Sequence, residues 1–438
     1  MTSITVREYS AFCKGRTNGE LVSGYCTLKD STFEALERFA LENNTTGLDG
    51  SLDIMSLSAR RGVGKIITVK NYVGIIALKD GTTIEILPKI YSPQAKEDGR
   101  EARLLLVRML NTVYNISYKN LQTASLDVYK MNILEVFIRM FLDEVMNLTK
   151  QGIKSNYETL EDNLSCFKGK ILFSKHIRHN FAHKESVYVA YDEFTVNRPE
   201  NRILKSTLAY LMAHSHSPKN KKDIKYLLGI FDEVELSSNY DADFAKISPD
   251  RNTTSYVTAL NWARVFLRKK GFTSFSGSTT SIALLFPMEK LFESYIPALM
   301  RKAISGKGDT SLSTQDAKYH LFDDPRCFSL RPDIVLTVKD KIFIMDTKWK
   351  RLNSDVSSHY GISQSDMYQM YAYYQKYNAT QNVQDVTLIY PKSADIPKDI
   401  TFRDDTTQTK INLRFIDLSS VGETEKSILE ILKDCNIS

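Results

Sequence analysis

The chain has few cysteines, and their spacing does not form a metal-binding pattern. The five cysteines are scattered over 438 residues, odd in number and without a Cys-x-x-Cys pair. This argues against a disulfide framework and against a structural zinc site. The sequence also lacks an apolar signal core at its N-terminus and an apolar run long enough to span a bilayer. These absences predict a protein of the reducing cytoplasm that makes no membrane contact.

The charge balance and the glycine pattern exclude two further classes. A net charge of +6 is mild, so it permits nucleic-acid binding without arguing strongly for it. The segment Arg60–Lys65 is similar to a phosphate-binding loop, but Ala59 stands where that loop needs glycine and Ile66 where it needs serine or threonine. We therefore predict no nucleotide cofactor, and any nucleotide hydrolysis has to come from another chain.

The hydrophobic pattern predicts an α/β protein of three domains. Residues 1–95 form a small β-rich domain with a hairpin at Asp80-Gly81. Residues 96–273 are mainly helical, but the β-rich stretch 164–195 interrupts the helices and predicts a projecting β-finger. Residues 274–438 alternate helices and strands, as expected of an α/β domain.

The predicted finger has a basic first half. Two β-rich segments form it, Gly169–Phe173 and Val187–Tyr191. The cations of the first half, which has no acid, are Lys168, Lys170, Lys175 and Arg178. They suit an acidic partner surface, and a solvated basic hairpin is the alternative. Asn201 and Arg202 open the next helix, where they either anchor the base of the finger or contact the partner.

The most informative pattern is Pro332-Asp333 followed by Asp346-Thr347-Lys348. The intervening residues predict two strands, Asp333–Val338 and Ile342–Trp349, joined by a tight polar turn. Side chains alternate between the faces of a strand, so Asp346 and Lys348 share one face. If the hairpin folds at its polar turn, Asp333 lies across from them, and two carboxylates and one ammonium group converge.

Such a group suits metal-dependent hydrolysis. Two acids can hold a divalent cation, and a nearby lysine can orient water and stabilise an oxyanion. An ordinary salt bridge on a solvated hairpin is the alternative. The apolar strand Ile342–Met345 argues for a site, because charges at the end of a central strand are costly unless they serve one. Glu293 on an upstream helix adds a third acid, and Gln369 and Tyr373 share one face of a downstream helix.

These residues resemble the Gln-x-x-x-Tyr branch of the PD-(D/E)XK nucleases. The ordered set is Glu293, Asp333, Asp346, Lys348, Gln369 and Tyr373. The last acidic position is Asp where many members have Glu, an accepted variant. The resemblance implies that Asp333 and Asp346 bind Mg²⁺, or Mn²⁺ as an alternative, with help from Glu293. It implies that Lys348 positions the attacking water and stabilises developing charge, while the two helix residues position the backbone or the metal shell.

A wider set of motifs resembles the McrC family, the nuclease subunits of McrBC-type restriction systems. The matching segments are Asn71–Gly74, Ile84–Lys89, Phe167–Ile171, Ser174–Arg178, Glu193-Phe194, Asn201–Leu208 and Leu388–Pro391. The resemblance implies an AAA+ GTPase partner that forms hexameric, McrB-like rings. It also implies that the finger enters the pore of the ring and stimulates GTP hydrolysis.

Together, the motifs predict a Mg²⁺-dependent endonuclease subunit that cleaves double-stranded DNA in phage defence. The N-terminal domain would read DNA or dock against partners. The alternative is a non-catalytic activator of the GTPase with a vestigial nuclease fold, and the intact Asp333, Asp346 and Lys348 argue against it.

Overall fold

The computed structural model of the chain separates into two compact units. It describes residues 2–43, 54–89, 99–113, 133–182, 185–247, 255–267, 274–275, 280–393, 399–407 and 409–437. The first unit comprises residues 1–133 and 275–438, and the second comprises residues 134–274. Among the described residues, the helices are all too short or too polar to cross a membrane.

Strands and helices are numbered in chain order. The described strands are β1 (Ser3–Arg7), β2 (Ala11–Lys14), β3 (Leu21–Val22), β4 (Tyr25–Leu28), β5 (Met55–Arg60), β6 (Gly64–Val69), β7 (Tyr72–Leu78), β8 (Thr83–Leu87), β9 (Asn156–Leu164), β10 (Lys170–Ile171), β11 (Val187–Thr195), β12 (Ser274–Phe275), β13 (Thr280–Pro287), β14 (Thr310–Thr314), β15 (His320–Asp323), β16 (Arg326–Ser329), β17 (Ile334–Val338), β18 (Lys341–Thr347), β19 (Asn382–Pro391), β20 (Ile400–Asp404) and β21 (Thr409–Ile416). The described α-helices are α1 (Asp30–Asn43), α2 (Arg100–Val113), α3 (Ile133–Lys150), α4 (Phe173–Asn180), α5 (Pro199–His214), α6 (Pro218–Ile230), α7 (Tyr240–Lys246), α8 (Val257–Leu267), α9 (Met288–Ile304), α10 (Gln364–Asn378) and α11 (Val421–Asp434).

Two five-stranded sheets begin the first unit, ordered β3-β4-β2-β6-β5 and β1-β8-β7-β13-β12. The predicted hairpin at Asp80-Gly81 is confirmed, since β7 and β8 are antiparallel. Strand β13, far along the chain, completes the second sheet by pairing with β7. At Gly74 (φ +136°) a Cβ would lie 2.0 Å from the carbonyl oxygen of Leu284. Only glycine therefore allows this close pairing.

The first unit includes parts of all three predicted domains. Helix α2, which we predicted as the start of the middle domain, packs on α9 and β8 within the first unit. Strand β13, predicted in the C-terminal domain, belongs to an N-terminal sheet. The predicted boundary after residue 95 lies outside the described residues, and the division into three domains stays a prediction.

A six-stranded sheet, ordered β14-β17-β18-β19-β21-β20, forms the C-terminal part of the first unit. Strands β18, β19 and β21 are parallel, and the outer pairs are antiparallel. Ile342 and Ile344 of β18 share a core with Met370 and Tyr377 of α10. The residues of β18 that alternate with these two isoleucines face the opposite side of the sheet, where α9 packs on β18. Helices on both faces thus bury this sheet and fix the ends of β17 and β18.

The second unit is mainly helical and contains a three-stranded sheet ordered β10-β11-β9. The predicted segment contains a β-hairpin, but its make-up differs from the prediction. Strand β11 pairs over nine residues with β9, which begins before the predicted segment, and over two residues with β10. Residues 173–180, which lie within the predicted β-rich stretch, form a helix, α4. We call residues 156–195 the finger.

The charges of the whole finger nearly balance, although the first half of the predicted segment 164–195 is basic as expected. Residues 156–195 contain six acidic residues against five lysines and arginines. Three of the acids lie on β9, and one of them, Glu161, pairs with Lys175. Lys168 lies over the ring of Tyr191, with its Nζ 3.9 Å from the ring centroid. The sequence prediction omitted β9, and with it the charges that balance these cations.

Candidate active site

The β17–β18 hairpin brings together the two aspartates and the lysine that we predicted. Ile334 pairs with Met345, so Asp333, just before β17, lies opposite Asp346 near the end of β18. The Nζ of Lys348 lies 2.5 Å from Oδ2 of Asp346. The predicted meeting of two carboxylates and an ammonium group is therefore present in the structure.

Asp346 is the most deeply buried charge of the group, with 1% of its surface exposed. Burial and the neighbouring charge of Asp333 raise its pKa to about 7, against the opposing effect of Lys348. Burial alone would lower the pKa of Lys348. The nearby charges of Asp346, Asp366 and Asp333 outweigh this effect, so the pKa of Lys348 is raised. Lys348 is therefore a charged donor at neutral pH.

Asp333 accepts three hydrogen bonds that fix its orientation. Its Oδ2 accepts from the backbone N and from Oγ1 of Thr347, at 2.8 and 2.7 Å. Its Oδ1 accepts from Nε2 of Gln315 at 2.9 Å. The same Nε2 donates to Oε1 of Glu293 at 2.6 Å, so Gln315 connects the two acids. Glu293 also pairs with Lys290, and burial followed by the charge of Asp333 raises the pKa of its carboxyl group.

Gln369 and Tyr373 hold Lys348 from the side of α10. Lys348 donates from Nζ to Oε1 of Gln369 at 3.2 Å, and Gln369 donates from Nε2 to the hydroxyl oxygen of Tyr373 at 2.7 Å. Tyr373 is almost fully buried. Burial and the charge of Asp346 raise the pKa of its hydroxyl group, so it stays protonated. The i, i+4 pair thus orients the lysine, which is a more specific role than the sequence indicated.

The donor set suits a hard divalent cation. The cleft has a volume of about 480 Å³, and the acids lining it are Glu289, Glu293, Asp333, Asp346 and Asp366. Oδ2 of Asp346 is buried without a hydrogen-bond partner of good geometry, despite its ion pair with Lys348. Among the described residues, no three His, Cys, Asp or Glu side chains lie close enough together to hold a metal ion by themselves. Mg²⁺ commonly uses one or two carboxylates, with water and substrate phosphate completing its shell, so Asp333 and Asp346 fit it.

Several site residues were missed by sequence reasoning. Gln315 and Thr347 bind Asp333, while the cations Arg331 and Lys350 line the cleft, where they can contact phosphate. Lys350 could have been found, since it lies two residues beyond Lys348 in a strand-like alternation. Gln315 gives no sequence signal, because only the pairing of β14 with β17 brings it beside Asp333.

The predicted partner-binding residues lie in the second unit. Lys168, Lys170, Lys175 and Arg178 are exposed on the finger. Asn201 is fully buried; its Nδ2 donates to the carbonyl oxygens of Lys154 and Val196, and its Oδ1 accepts from Tyr256. Arg202 forms an ion pair with Asp243. Asn201 therefore ties together the chain just before β9 and just after β11, and a contact of either residue with the partner stays a prediction.

Burial of Asp346 gives the metal-free protein a testable pH dependence. Between the ordinary aspartate pKa of 3.8 and about 7, the folded protein keeps a proton that the unfolded chain has lost. The free energy of unfolding should therefore fall as the pH rises from about 5 to about 8. In Asp346→Asn this fall should be about 2 kcal/mol smaller. Urea unfolding of both proteins in EDTA measures the difference; equal falls would contradict the raised pKa.

Comparison with known proteins adds independent observations. A family model described as "McrBC 5-methylcytosine restriction system component" matches residues 67–391. The Type IV methyl-directed restriction enzyme EcoKMcrBC of Escherichia coli strain K12 is 22% identical over 269 residues, which are 56% of this chain and 74% of that protein.

Two solved structures from Thermococcus gammatolerans have similar folds. One is a half-complex from a tetradecameric assembly of McrB AAA+ hexamers with bound McrC; its TM-score is 0.71 at 19% identity, covering 99% of this chain and 100% of that chain. The other is an McrBC complex solved by cryo-EM, with a TM-score of 0.52 at 19% identity, covering 70% of this chain and 90% of that one. At these identities the likeness shows the fold.

Proposed function

The chain belongs to the McrBC family of restriction-system components, and on this premise we propose that it is a Mg²⁺-dependent DNA endonuclease subunit driven by an AAA+ GTPase partner. The observation that carries the proposal is the convergence of Asp333, Asp346 and Lys348 in one polar cleft. The six-stranded sheet with helices on both faces supports a PD-(D/E)XK nuclease domain around that cleft. The intact catalytic group argues against a non-catalytic activator.

In this proposal the residues divide the work of phosphodiester hydrolysis. Asp333 and Asp346 hold the cation, with Glu293 assisting, and Mn²⁺ can replace Mg²⁺ because both prefer oxygen ligands. When bound, the cation polarises the phosphate and offsets its charge. Lys348 stays protonated beside Asp346, so it positions the attacking water, which loses its proton to solvent, and donates hydrogen bonds to the phosphate oxygens as negative charge develops. Gln369 and Tyr373 hold the lysine in position for this step.

The finger supplies the proposed contact with the GTPase ring. Strand β9 is exposed along most of its length, so the finger extends into solvent. Its helix α4 and the residue after it present an apolar stripe of Phe173, Ile177 and Phe181, which are 69%, 64% and 86% exposed. Their i, i+4, i+8 spacing places them on one face of the helix.

Large exposed apolar patches mark interaction sites, and the similar solved assembly contains McrC bound to McrB hexamers. We therefore assign the stripe, rather than the finger cations, as the main partner contact.

Cleavage by the reconstituted assembly tests the proposed function. The chain, its GTPase partner and double-stranded DNA should give cleavage only when both Mg²⁺ and GTP are present, and EDTA should abolish it. Asp333→Asn should also abolish cleavage, because it removes one of the two carboxylates that hold the cation. Asp323→Asn is the matched control, since Asp323 lies on the exposed β15–β16 hairpin and pairs with Lys376 of α10. Cleavage that persists in EDTA or in Asp333→Asn would refute the assignment.

A further inference from the structure

Gln315 lines the acidic cleft between Glu293 and Asp333, where a cation would be expected. It follows β14 directly, and β14 pairs with β17, so Gln315 lies beside Asp333. Its backbone N donates to the carbonyl oxygen of Asp333 at 3.3 Å. Its φ of +52° lies in the left-handed region, which non-glycine residues rarely adopt. Such backbone conformations cluster at functional sites, and this one aims the side chain into the cleft.

The side-chain amide of Gln315 connects two acids. One nitrogen, Nε2, lies 2.6 Å from Oε1 of Glu293 and 2.9 Å from Oδ1 of Asp333. An amide nitrogen carries two hydrogens, so it can donate to both oxygens at once. This relieves the repulsion between two nearby carboxylates, a repulsion that contributes to the raised pKa of Glu293. Lys290 offsets part of the charge of Glu293 from the other side.

A bound cation would need the oxygen atoms that the amide now occupies. The N–H groups of an amide repel a metal ion, so Nε2 has to leave the two carboxylates before they can ligate one. We propose that Gln315 takes the place of the cation in the metal-free protein and, by competing for Glu293 and Asp333, sets the metal affinity of the site. The inference rests on the proposed function, because it assumes that these acids bind the divalent cation.

This role predicts opposite effects on the two forms of the protein. Removing the amide destabilises only the metal-free form, which loses both hydrogen bonds. Gln315→Ala should therefore lower the melting temperature in EDTA but leave the melting temperature at saturating Mn²⁺ nearly unchanged. The Kd for Mn²⁺ should fall about tenfold, or ~1.4 kcal/mol, roughly one hydrogen bond to a charged group. Gln315→Met keeps the length of the side chain but removes its hydrogen-bond donors, so it should change the melting temperature and the Kd for Mn²⁺ in the same directions as Gln315→Ala.

Isothermal titration with Mn²⁺ and thermal unfolding of the full chain measure both effects. Gln384→Ala is the control, since Gln384 is exposed on β19, where its side chain donates to the neighbouring Asn382. Tighter binding by both Gln315 variants, with a loss of stability confined to EDTA, supports the inference. Weaker binding would make Gln315 a ligand, and unchanged binding would make it a structural contact; either overturns the inference while leaving the metal site intact. If the unaltered protein fails to bind Mn²⁺, the proposed metal site falls as well.

Discussion

Lys348→Met is expected to reduce DNA cleavage by about 10²–10³-fold, the usual effect of removing one donor that stabilises developing charge. The ammonium group lies 2.5 Å from Asp346 and 3.2 Å from Oε1 of Gln369, so its position is fixed before DNA arrives. Methionine keeps the length and the apolar stem but removes the charge and the hydrogen bonds. Single-turnover cleavage with saturating partner and DNA isolates this step from binding.

Lys392→Met is the matched control for that experiment. Lys392 follows β19 in the same unit, where it pairs with Asp417 outside the cleft. Its replacement should leave cleavage within about twofold of the unaltered rate, as surface salt bridges contribute little. A Lys348→Met protein that folds, binds the partner and still cleaves at the normal rate would exclude the lysine from the chemistry.

Ile177→Asp is expected to reduce the stimulation of GTP hydrolysis at least about tenfold. Ile177 is the middle residue of the apolar stripe on α4, and a charge there would have to be buried against the partner. Loss of a hot-spot contact at the centre of an interface costs about 2 kcal/mol or more in binding. Because Ile177 is 64% exposed, its replacement should leave the fold of the free chain intact. GTPase rates measured against chain concentration separate weaker binding from weaker stimulation.

Tyr226→Asp provides the control for the finger. Tyr226 lies on α6 of the same unit and is 65% exposed, so the substitution introduces the same charge at equal exposure outside the finger. It should leave stimulation unchanged. If Ile177→Asp stimulates as well as Tyr226→Asp, the stripe is not the contact, and the cations Lys170 and Arg178 become the next candidates.

The core of the candidate active site could be predicted because its signals are local. Alternation along β18 places Asp346 and Lys348 on one face, and a tight turn brings Asp333 opposite. The i, i+4 spacing of Gln369 and Tyr373 placed them together in the same way. Each of these inferences needed only one hairpin or one helix, and the structure confirms that these residues meet.

The features that the sequence did not predict have two causes. Some depend on pairing between strands that are far apart in the sequence, and others on a spacing of apolar residues that is typical of a helix although the segment is a strand. Gln315 reaches the site only through the pairing of β14 with β17, and β13 joins a sheet formed some 200 residues earlier. In β9 the apolar residues Tyr157, Leu160 and Leu164 are spaced as in a helix, although they form a strand. Omitting β9 also left three acids out of the predicted finger, which is why the near balance of charge over residues 156–195 was not foreseen.

The most direct test measures DNA cleavage and GTP hydrolysis on the same reconstituted assembly containing the Lys348→Met chain. The two activities are assigned to different parts of the chain, cleavage to the cleft of the first unit and stimulation to the finger of the second. Mg²⁺-dependent cleavage should therefore be lost while GTP hydrolysis is stimulated as strongly as by the unaltered chain. Normal cleavage by this variant, or loss of both activities in a folded and bound chain, would contradict the assignment.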